Sequence, residues 1–480
     1  MQEYHEIGIA LLTLSRHCHV LSAVSGTSDG HVRGTVTDVR CDRLIEIDDF
    51  MANLWKVHLA VKSEGYAQVG TVNMYGQSFF VLTSTQSIQL GLFRSDYMVH
   101  VDASECQPCV KQVEFNTIAS SFGGLASKVS GLHKHLTSID AYPESMSNII
   151  NDSSLPPSTS VPGLARGMAK AHQAYGQSST GHPTCVIFLV QDTERNVFDQ
   201  RHLEYELNES HGVRTFRLPF SRVLQDTSVG EDRKLIYTPP QVPKKLYEVT
   251  VVYFRAGYAP TEYVDQAAWD ARLHLERSAA IKCPSVLLQL AGTKKVQQVL
   301  ATPHSPHLKR FLPDDKQASA VLKTFAPIYP MDQSEAGLEA RKLATNPETA
   351  QRYVLKPQRE GGGNNVYRKA IPDFLKSMPE SHWPAWILME MIEPPAQSNV
   401  IFRNGELHEG GVICELGMYG ACVWKQGDEG RDKEVFENFS AGYLLRTKGD
   451  SSEEGGVSVS LRRRSTTTDG IIGGGGLRLR

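Results

Sequence analysis

Four short apolar runs along the chain predict buried β-strands. They are CVIFLV (185–190), VTVVYF (249–254), YVL (353–355) and WILM (386–389). Each run is rich in β-branched or aromatic residues and is too short for a helix, which favours strands that are covered on both faces. A fifth segment, KQVEF (111–115), alternates apolar and polar positions and predicts a half-buried strand.

Two helices are predicted where apolar residues recur every three or four positions. Over 265–282, the small or apolar residues at positions 268, 271, 275 and 279 fall on one helical face. Over 48–65, an aspartate can cap the beginning of a helix and a glycine stands at its end. Helices between strands that are buried on both faces indicate an α/β protein with at least one largely parallel sheet.

Length and composition describe an ordinary globular chain with room for two or three domains. The 480 residues are 40% hydrophobic and 21% charged, and the formal net charge is −3. This near balance argues against nucleic acid or an anionic membrane as a partner, and no apolar run is long enough to span a bilayer. Eight cysteines are too few for a disulfide framework, so the cytoplasm is the expected compartment.

A glycine-rich segment follows the strand YVL and predicts a nucleotide-binding loop. In KPQREGGGNNVY (356–367), Lys356 is followed four residues later by Glu360 and then by three consecutive glycines. Only glycine allows backbone amides to come close to phosphate oxygens. Lys356 is therefore predicted to contact phosphate and Glu360 to hold a magnesium ion, in a flap that closes over a triphosphate.

A second polar cluster lies in VEFNTIASSFGGLAS (113–127). Glu114 and Asn116 are two residues apart on the predicted strand, so their side chains point to one face. A carboxylate and an amide carbonyl are oxygen ligands that suit Mg²⁺. On spacing alone, a solvated strand edge remains the competing interpretation. Ser120 and Ser121 follow and offer hydroxyl groups.

Nine segments along the chain combine charged residues, glycines and short apolar runs. They are GLFRSDYM (91–98), VEFNTIASSFGGLAS (113–127), ERNVFDQR (194–201), VVYFRAGY (251–258), KCPSVLLQLAGTKKVQQ (282–298), VLKPQREGGGNN (354–365), ILMEMIEP (387–394), ICELGMYG (413–420) and LLRTK (444–448). In this order they resemble the successive motifs of the eukaryotic glutathione synthetases, which are ATP-grasp ligases. The resemblance covers roughly 47–457. It implies an α/β fold that has an ATP-grasp core, a glycine-rich lid and an inserted α/β substrate-binding domain.

The resemblance also implies a division of the chain into parts. These are an unmatched segment at 1–46, the first part of the ATP-grasp core at 47–182, the substrate-binding domain at 183–292, the second part of the core at 293–457 and a divergent, disordered tail at 458–480. The lid is expected at about 320–410. Residues 69–90 form an insertion with no counterpart in the family.

Roles for individual residues are implied where the chain matches the family's motifs. The implied magnesium ligands are Glu114, Asn116 and Glu360. The implied ATP site comprises Glu114, Lys294, Lys356, Gly361, Gly362, Gly363, Asn364, Asn365, Tyr367, Met389, Glu390, Met391, Ile392, Glu415, Lys448 and Glu454. The implied substrate site comprises Arg94, Ser120, Ser121, Glu194, Arg195, Asn196, Gln200, Arg255, Tyr258, Arg446, Val457 and Ser458. The implied catalytic side chains, which would stabilise negative charge on reacting oxygens, are Arg94, Lys294, Lys356 and Arg446.

The implied reaction joins glycine to γ-glutamylcysteine through an acyl phosphate. ATP is the co-substrate, Mg²⁺ is the cofactor, and the enzyme is expected to be a cytoplasmic homodimer.

Two alternatives to this reaction stay open at this point. One is a related ligase that uses β-alanine and forms homoglutathione. The other is a catalytically silent ATP-binding paralogue or splice product, because GGVSVSLRRR (455–464) replaces the family's alanine-rich closing loop. Ala256 and Met391 also stand where the family usually has aspartate and lysine.

Overall fold

The computed structural model describes the chain between residues 87 and 450, with several gaps. The described ranges are 87–101, 108–142, 144, 150–151, 155–259, 262–263, 265–312, 314–358, 364–403, 406–426 and 433–450. The predicted helix at 48–65, the insertion up to residue 86 and the tail at 458–480 lie outside these ranges. The last residues of the insertion are described, and they form the beginning of a strand.

Strands and helices are interspersed along the described chain. The strands are β1 (Ile88–His100), β2 (Cys109–Asn116), β3 (Thr184–Val190), β4 (Thr215–Pro219), β5 (Thr227–Val229), β6 (Leu235–Tyr237), β7 (Tyr247–Phe254), β8 (Ile281–Cys283), β9 (Ile328–Pro330), β10 (Tyr353–Pro357), β11 (Val366–Tyr367), β12 (Trp386–Glu390), β13 (Gln397–Arg403), β14 (Glu406–Gln426) and β15 (Lys433–Gly449). The helices are α1 (Gly123–Ser138), α2 (Ser160–Tyr175), α3 (Val197–His211), α4 (Val223–Asp226), α5 (Gln266–Arg277), α6 (Val286–Ala291), α7 (Lys294–Ala301), α8 (His307–Phe311), α9 (Asp315–Thr324), α10 (Glu335–Thr345) and α11 (Ile371–Lys376).

Sheet A contains β1, β2, β13, β14 and β15, and all of its pairings are antiparallel. β14 is 21 residues long and lies between β1 and β15, while β13 pairs with the first part of β14. β2 pairs with the other edge of β1 and contains the predicted strand 111–115. Strands from the beginning of the described chain therefore lie beside strands from its end.

Sheet B contains β3 to β8 and confirms the prediction of a largely parallel sheet. β3 pairs in parallel with β4 and β7, and β7 pairs in parallel with β8. β5 and β6 continue the sheet as antiparallel strands. The predicted strands 185–190 and 249–254 form β3 and β7, and every residue of β7 is buried. Continuous apolar runs are typical of such doubly covered strands.

Helices cover both faces of sheet B. On one face, Leu164 and Met168 of α2 belong to a cluster that also holds Val186 of β3 and Leu92 of β1. On the other face, Leu275 of α5 packs in a second cluster. Because α2 contacts strands of both sheets, it connects sheet A to sheet B.

One close approach of α2 to sheet A requires glycine. A Cβ atom added at Gly163 would lie 2.4 Å from the carbonyl oxygen of Ala441 on β15. Gly163→Ala is therefore expected to lower the free energy of unfolding by about 1–3 kcal/mol, because a packed backbone has to move. The matched control is Gly131→Ala in α1, where an added Cβ meets nothing within 4 Å. That control is expected to be neutral or to raise stability by about 0.5–1 kcal/mol. Urea denaturation measures both, and equal effects would contradict the close approach.

Sheet C is a separate antiparallel sheet in the order β11, β10, β12, β9. It confirms the predicted strands 353–355 and 386–389, which form β10 and β12 and pair antiparallel with each other. A cluster of buried side chains joins the sheet to α10 and α11. Sheet C lies within the range predicted for the lid, 320–410, but the later strand β13 of that range pairs in sheet A.

The helix predicted at 265–282 begins where expected and ends earlier. Asp265 caps α5 with its side chain, and the last helical residue is Arg277. Ser278 has an extended backbone, and Lys282 lies in β8 beside β7. The prediction was wrong for these last residues because the strand pairing with β7 outweighs the local helical pattern.

Candidate active site

The antiparallel register of sheet A brings polar side chains from distant segments to one face. Arg94 and Asp96 are two apart on β1, so they share a face. In the ladder, Arg94 lies opposite Asn116 and Asp96 lies opposite Glu114 on β2. On the other side of β1, Arg94 lies opposite Tyr419 of β14. Directly paired residues share a face, so the predicted magnesium ligands lie beside a predicted substrate arginine.

Asp96 is fully buried and accepts several charge-assisted hydrogen bonds. Arg94 donates through Nε at 2.7 Å and through Nη2 at 2.9 Å. Arg446 of β15 and Asn116 of β2 each donate to Oδ2 at 3.0 Å. The sequence interpretation missed Asp96, because nothing in the local sequence indicates that this aspartate is buried.

Two lysines from different elements approach the carboxylate of Glu114. The Nζ of Lys294, the first residue of α7, lies 2.6 Å from Glu114 Oε2. The Nζ of Lys356 on β10 donates to the carbonyl of Val113 at 3.1 Å. Both lysines are buried. Burial alone would raise the pKa of Glu114, but Lys294 and Lys356 hold that pKa well below its usual range.

If Lys356 contacts phosphate as the sequence predicts, its ammonium group should set an alkaline pH limit on the use of ATP. Burial, reinforced by Lys294, lowers the pKa of Lys356 to about 8. Because only the protonated form attracts phosphate, kcat/KM for ATP is expected to fall about tenfold per pH unit above this value. Lys356→Arg keeps its charge at all these pH values. Its profile is expected to lack the decline near pH 8 even if its rate is lower. The same decline in both proteins would assign the limit to another group.

A turn that carries Ser120 and Ser121 lies against the arginine cluster. Arg255, at the end of β7, donates to the Ser120 carbonyl at 2.9 Å and to Ser121 Oγ at 2.7 Å. Arg94 and Tyr419 donate to the Ser121 carbonyl at 3.2 Å and 2.6 Å. Within the described chain, Ser120 Oγ and Arg255 Nε are buried and have no hydrogen-bond partner. Both residues belong to the predicted substrate site.

Asp199 of α3 holds this turn in place. Its carboxylate accepts the backbone N–H groups of Phe122, Gly124 and Leu125 at 2.7, 2.8 and 3.0 Å. These donors belong to the beginning of α1, and Phe122 itself has a positive φ of 74°. The sequence interpretation also missed Asp199, although it lies inside ERNVFDQR between two predicted substrate residues.

The remaining predicted substrate residues differ in their hydrogen bonds and exposure. Glu194 accepts the backbone N–H of Asn196 at 2.7 Å, while its Oε2 is buried without a partner in the described chain. Asn196 donates to Asp199 at 3.2 Å, and Gln200 accepts from Arg217 at 2.7 Å. Tyr258 accepts from Gln191 at 3.0 Å, whereas Arg195 is exposed.

The predicted ATP residues are divided between sheet C and sheet A. Met389 is buried on β12, and the N–H groups of Glu390 and Met391 donate to the carbonyls of Pro327 and Arg352. Glu415 of β14 forms an ion pair with Arg446 of β15. Other members of the set with described positions are Asn364, Asn365, Tyr367, Ile392 and Lys448. The predicted ATP residues outside the described residues are Gly361, Gly362, Gly363 and Glu454. The predicted magnesium ligand Glu360 and the predicted substrate residues Val457 and Ser458 also lie outside them.

Comparison with known proteins identifies the family of this chain. A family model described as eukaryotic glutathione synthase, ATP binding domain, matches residues 36–461 and so extends beyond 47–457 at both ends. The glutathione synthetase large chain of Schizosaccharomyces pombe is 38% identical over 434 residues, which cover 88% of this chain and 81% of that protein. The glutathione synthetase of Homo sapiens is 39% identical over 420 residues, which cover 87% of this chain and 78% of that protein.

One further relative and one solved structure extend the comparison. The chloroplastic glutathione synthetase of Solanum lycopersicum is 38% identical over 384 residues, which cover 79% of this chain and 64% of that protein. A solved structure of a glutathione synthetase-like effector from Globodera pallida, in its apo form, has the same fold. Its TM-score is 0.58 at 19% identity, with 92% of this chain and 94% of that chain covered.

Fold and family together define the chain as an ATP-dependent ligase, and the predicted α/β ATP-grasp fold class is confirmed. The chain belongs to the eukaryotic glutathione synthase family. The division into domains and the roles of individual site residues remain predictions.

Proposed function

We propose that this chain joins glycine to γ-glutamylcysteine and forms glutathione, ADP and phosphate from ATP. The observation that carries the proposal is a group of four cations around the carboxylate of Glu114. Two of them, Arg94 and Arg446, belong to sheet A, and the other two, Lys294 and Lys356, belong to α7 and β10 beside it. A group of cations around a low-pKa carboxylate suits a reaction in which phosphoryl oxygens carry most of the charge.

The chemistry requires that a carboxylate be activated before an amine can attack it. Transfer of the γ-phosphoryl group of ATP to the cysteinyl carboxylate of γ-glutamylcysteine forms an acyl phosphate and releases ADP. The glycine amine then attacks the acyl carbon, the amide bond forms, and phosphate leaves with the electron pair of the broken C–O bond. Negative charge develops on oxygens in both steps, and Lys294, Lys356 and the two arginines are placed to stabilise it. No side-chain nucleophile is needed.

The described residues fit a magnesium ion that is shared with phosphate. Mg²⁺ bound here would neutralise phosphate charge during transfer. Glu114 offers a carboxylate, and Asn116 directs its Nδ2 towards Asp96, which leaves Oδ1 for a cation. No cluster of three or more potential side-chain ligands among histidine, cysteine, aspartate and glutamate exists in the described ranges. One or two protein carboxylates usually hold Mg²⁺ together with phosphates.

The peptide substrate would occupy the space beside the turn at 119–122. γ-Glutamylcysteine carries an ammonium group and carboxylates. The unpartnered Oε2 of Glu194 suits the ammonium group, and the unpartnered Ser120 Oγ and Arg255 Nε suit a carboxylate. Arg94 and Arg446 both donate to Asp96, which lies opposite Glu114 in the ladder, and the carboxylate to be phosphorylated would lie near them.

A cytoplasmic homodimer is part of the proposal, as the resemblance to the family implied. In the described part of the chain, no helix has the length and apolar character that crossing a membrane requires. Sedimentation of the purified protein tests the dimer, and fractionation of cells tests the compartment.

The proposed reaction is tested with purified protein, γ-glutamylcysteine, glycine, ATP and Mg²⁺, with glutathione and ADP measured together. Glutathione and ADP are expected in equal amounts, and omission of any one substrate should abolish glutathione. ADP without glutathione would contradict glycine as the acceptor, and a repeat with β-alanine would then identify a homoglutathione-forming ligase. Folded protein that binds ATP but releases neither product would establish a silent paralogue.

A further inference from the structure

The carboxylate of Asp96 joins side chains from three strands of sheet A. Arg94 and Asp96 belong to β1, Asn116 belongs to β2 and Arg446 belongs to β15. All three of the other side chains donate to the Asp96 carboxylate, at distances between 2.7 and 3.0 Å. Each of these donors is also a residue to which the family resemblance gives a substrate or metal role. Asp96 itself has no such role.

Neighbouring strands fix the position of this carboxylate. Asp96 pairs with Glu114 of β2 on one side and with Gly417 of β14 on the other. A Cβ atom added at Gly417 would lie 2.8 Å from Asp96 Oδ1 and 2.9 Å from Arg94 Cδ. Glycine at this position therefore leaves the space that the Arg94–Asp96 pair occupies. The carboxylate is held from both sides of its own strand.

The two bonds from Arg94 determine the direction of its guanidinium group. Nε and Nη2 both face Asp96, so the third nitrogen, Nη1, points away and reaches the Ser121 carbonyl at 3.2 Å. Arg446 uses one nitrogen for Asp96 and also pairs with Glu415. Without Asp96, the guanidinium group of Arg94 would be free to turn towards Glu114, and Arg446 would keep its pair with Glu415 and lose its bond to β1.

The orientation of the Asn116 amide depends on the same carboxylate. Its Nδ2 lies 3.0 Å from Asp96 Oδ2 and 3.3 Å from Glu114 Oε1. A carboxylate accepts hydrogen bonds, so the NH₂ side of the amide faces it and the carbonyl oxygen faces away. That oxygen is the atom that could bind a cation.

We propose that Asp96 is a positioning residue that aims Arg94 and Arg446 at the peptide substrate and turns the Asn116 carbonyl towards the metal, an inference that rests on the proposed function. Asp96 is fully buried and its bonds are made within the protein, so it acts through these three side chains and does not touch the reacting atoms. Loss of its charge should affect peptide and metal binding and leave ATP contacts at Lys294 and Lys356 in place.

The test compares wild type with Asp96→Asn, which keeps the shape of the side chain and removes its charge. Calorimetric binding of γ-glutamylcysteine, measured without ATP or Mg²⁺, is expected to weaken at least about tenfold, as for a lost charge-assisted hydrogen bond. The Mg²⁺ concentration that gives half-maximal activity is expected to rise. Thermal stabilisation by ATP alone is expected to match that of wild type.

Asp96→Glu covers the case in which the asparagine variant does not fold. It keeps the charge but moves the carboxylate by one methylene, so peptide binding is again expected to weaken. Glu248→Gln is the matched control, because Glu248 is also fully buried and accepts from Tyr175, Ser178 and Thr180 far from the site. The control should lower the melting temperature and leave peptide affinity unchanged.

The outcomes separate the inference from the function on which it rests. If wild type forms glutathione and a folded Asp96 variant binds the peptide as wild type does, the inference is wrong and the function stands. An equal loss of peptide affinity in Glu248→Gln would show a general effect of removing a buried charge, and it would also overturn the inference. If wild type forms no glutathione, the proposed function fails, and the inference fails with it.

Discussion

Replacement of Glu114 with glutamine is expected to lower kcat by about 100-fold or more, the size of effect seen when one electrostatic group of an active site is removed. The carboxylate lies 2.6 Å from Lys294 and within the electrostatic range of Lys356. The substitution removes a predicted magnesium ligand and leaves two buried ammonium groups without their shared anion. Steady-state kinetics at saturating Mg²⁺ and ATP measures the effect.

An exposed glutamate provides the control for this substitution. Glu434 lies at the beginning of β15, and its side chain is exposed. Glu434→Gln is expected to leave kcat unchanged. If Glu114→Gln retained the kcat of the control while both proteins stayed folded, Glu114 would have no part in the reaction.

Replacement of Asp199 with alanine should combine a loss of stability with a loss of peptide binding. The backbone N–H groups of Phe122, Gly124 and Leu125 would lose their acceptor at the beginning of α1. Three such groups without a partner would lower the free energy of unfolding by about 3–5 kcal/mol. The turn that carries Ser120 would lose its support, so KM for γ-glutamylcysteine should rise. Urea denaturation and steady-state kinetics measure the two effects.

Asp265 supplies the comparison for Asp199. It accepts one backbone N–H at the beginning of α5, at 3.0 Å, and it is exposed to solvent. Asp265→Ala is expected to cost only about 1 kcal/mol, as a local helix cap does, with no change in KM. Equal stability losses in the two variants would indicate that Asp199 is no more than an ordinary cap.

Local sequence patterns predicted the strands in which consecutive residues are buried. β3, β7, β10 and β12 each appear in the sequence as a short apolar segment. Their partners are less evident, because the same apolar segment suits a parallel or an antiparallel sheet. β10 and β12 pair antiparallel in sheet C, whereas β3 and β7 pair parallel in sheet B. The end of α5 was misplaced for a related reason, since β8 forms only when β7 is present.

Local sequence patterns are also limited in what they predict about single residues of the site. Lys356 and Glu114 could be proposed from spacing and residue type, because a cation after a strand and a carboxylate on a strand are local features. Asp96 could not, because an aspartate in a sequence is normally exposed. Its burial depends on Arg446, which is 350 residues away along the chain. Only the family resemblance linked such distant segments. It did so for residues that are predicted to bind ligands, and it gave no role to Asp96.

The separation of 350 residues between Asp96 and Arg446 affects how the enzyme is made in the cell. At ordinary rates of translation, about 20–70 s pass between the synthesis of Asp96 and that of Arg446. During this interval β1 lacks β14 along one edge, and Leu90 and Leu92 lack part of the layer that buries them. An unpaired strand with uncovered apolar residues is the kind of surface that aggregates or is bound by chaperones. The nascent chain therefore exposes this surface until the ribosome releases β14 and β15, and a polypeptide that stops before them lacks Arg446 and cannot assemble this site.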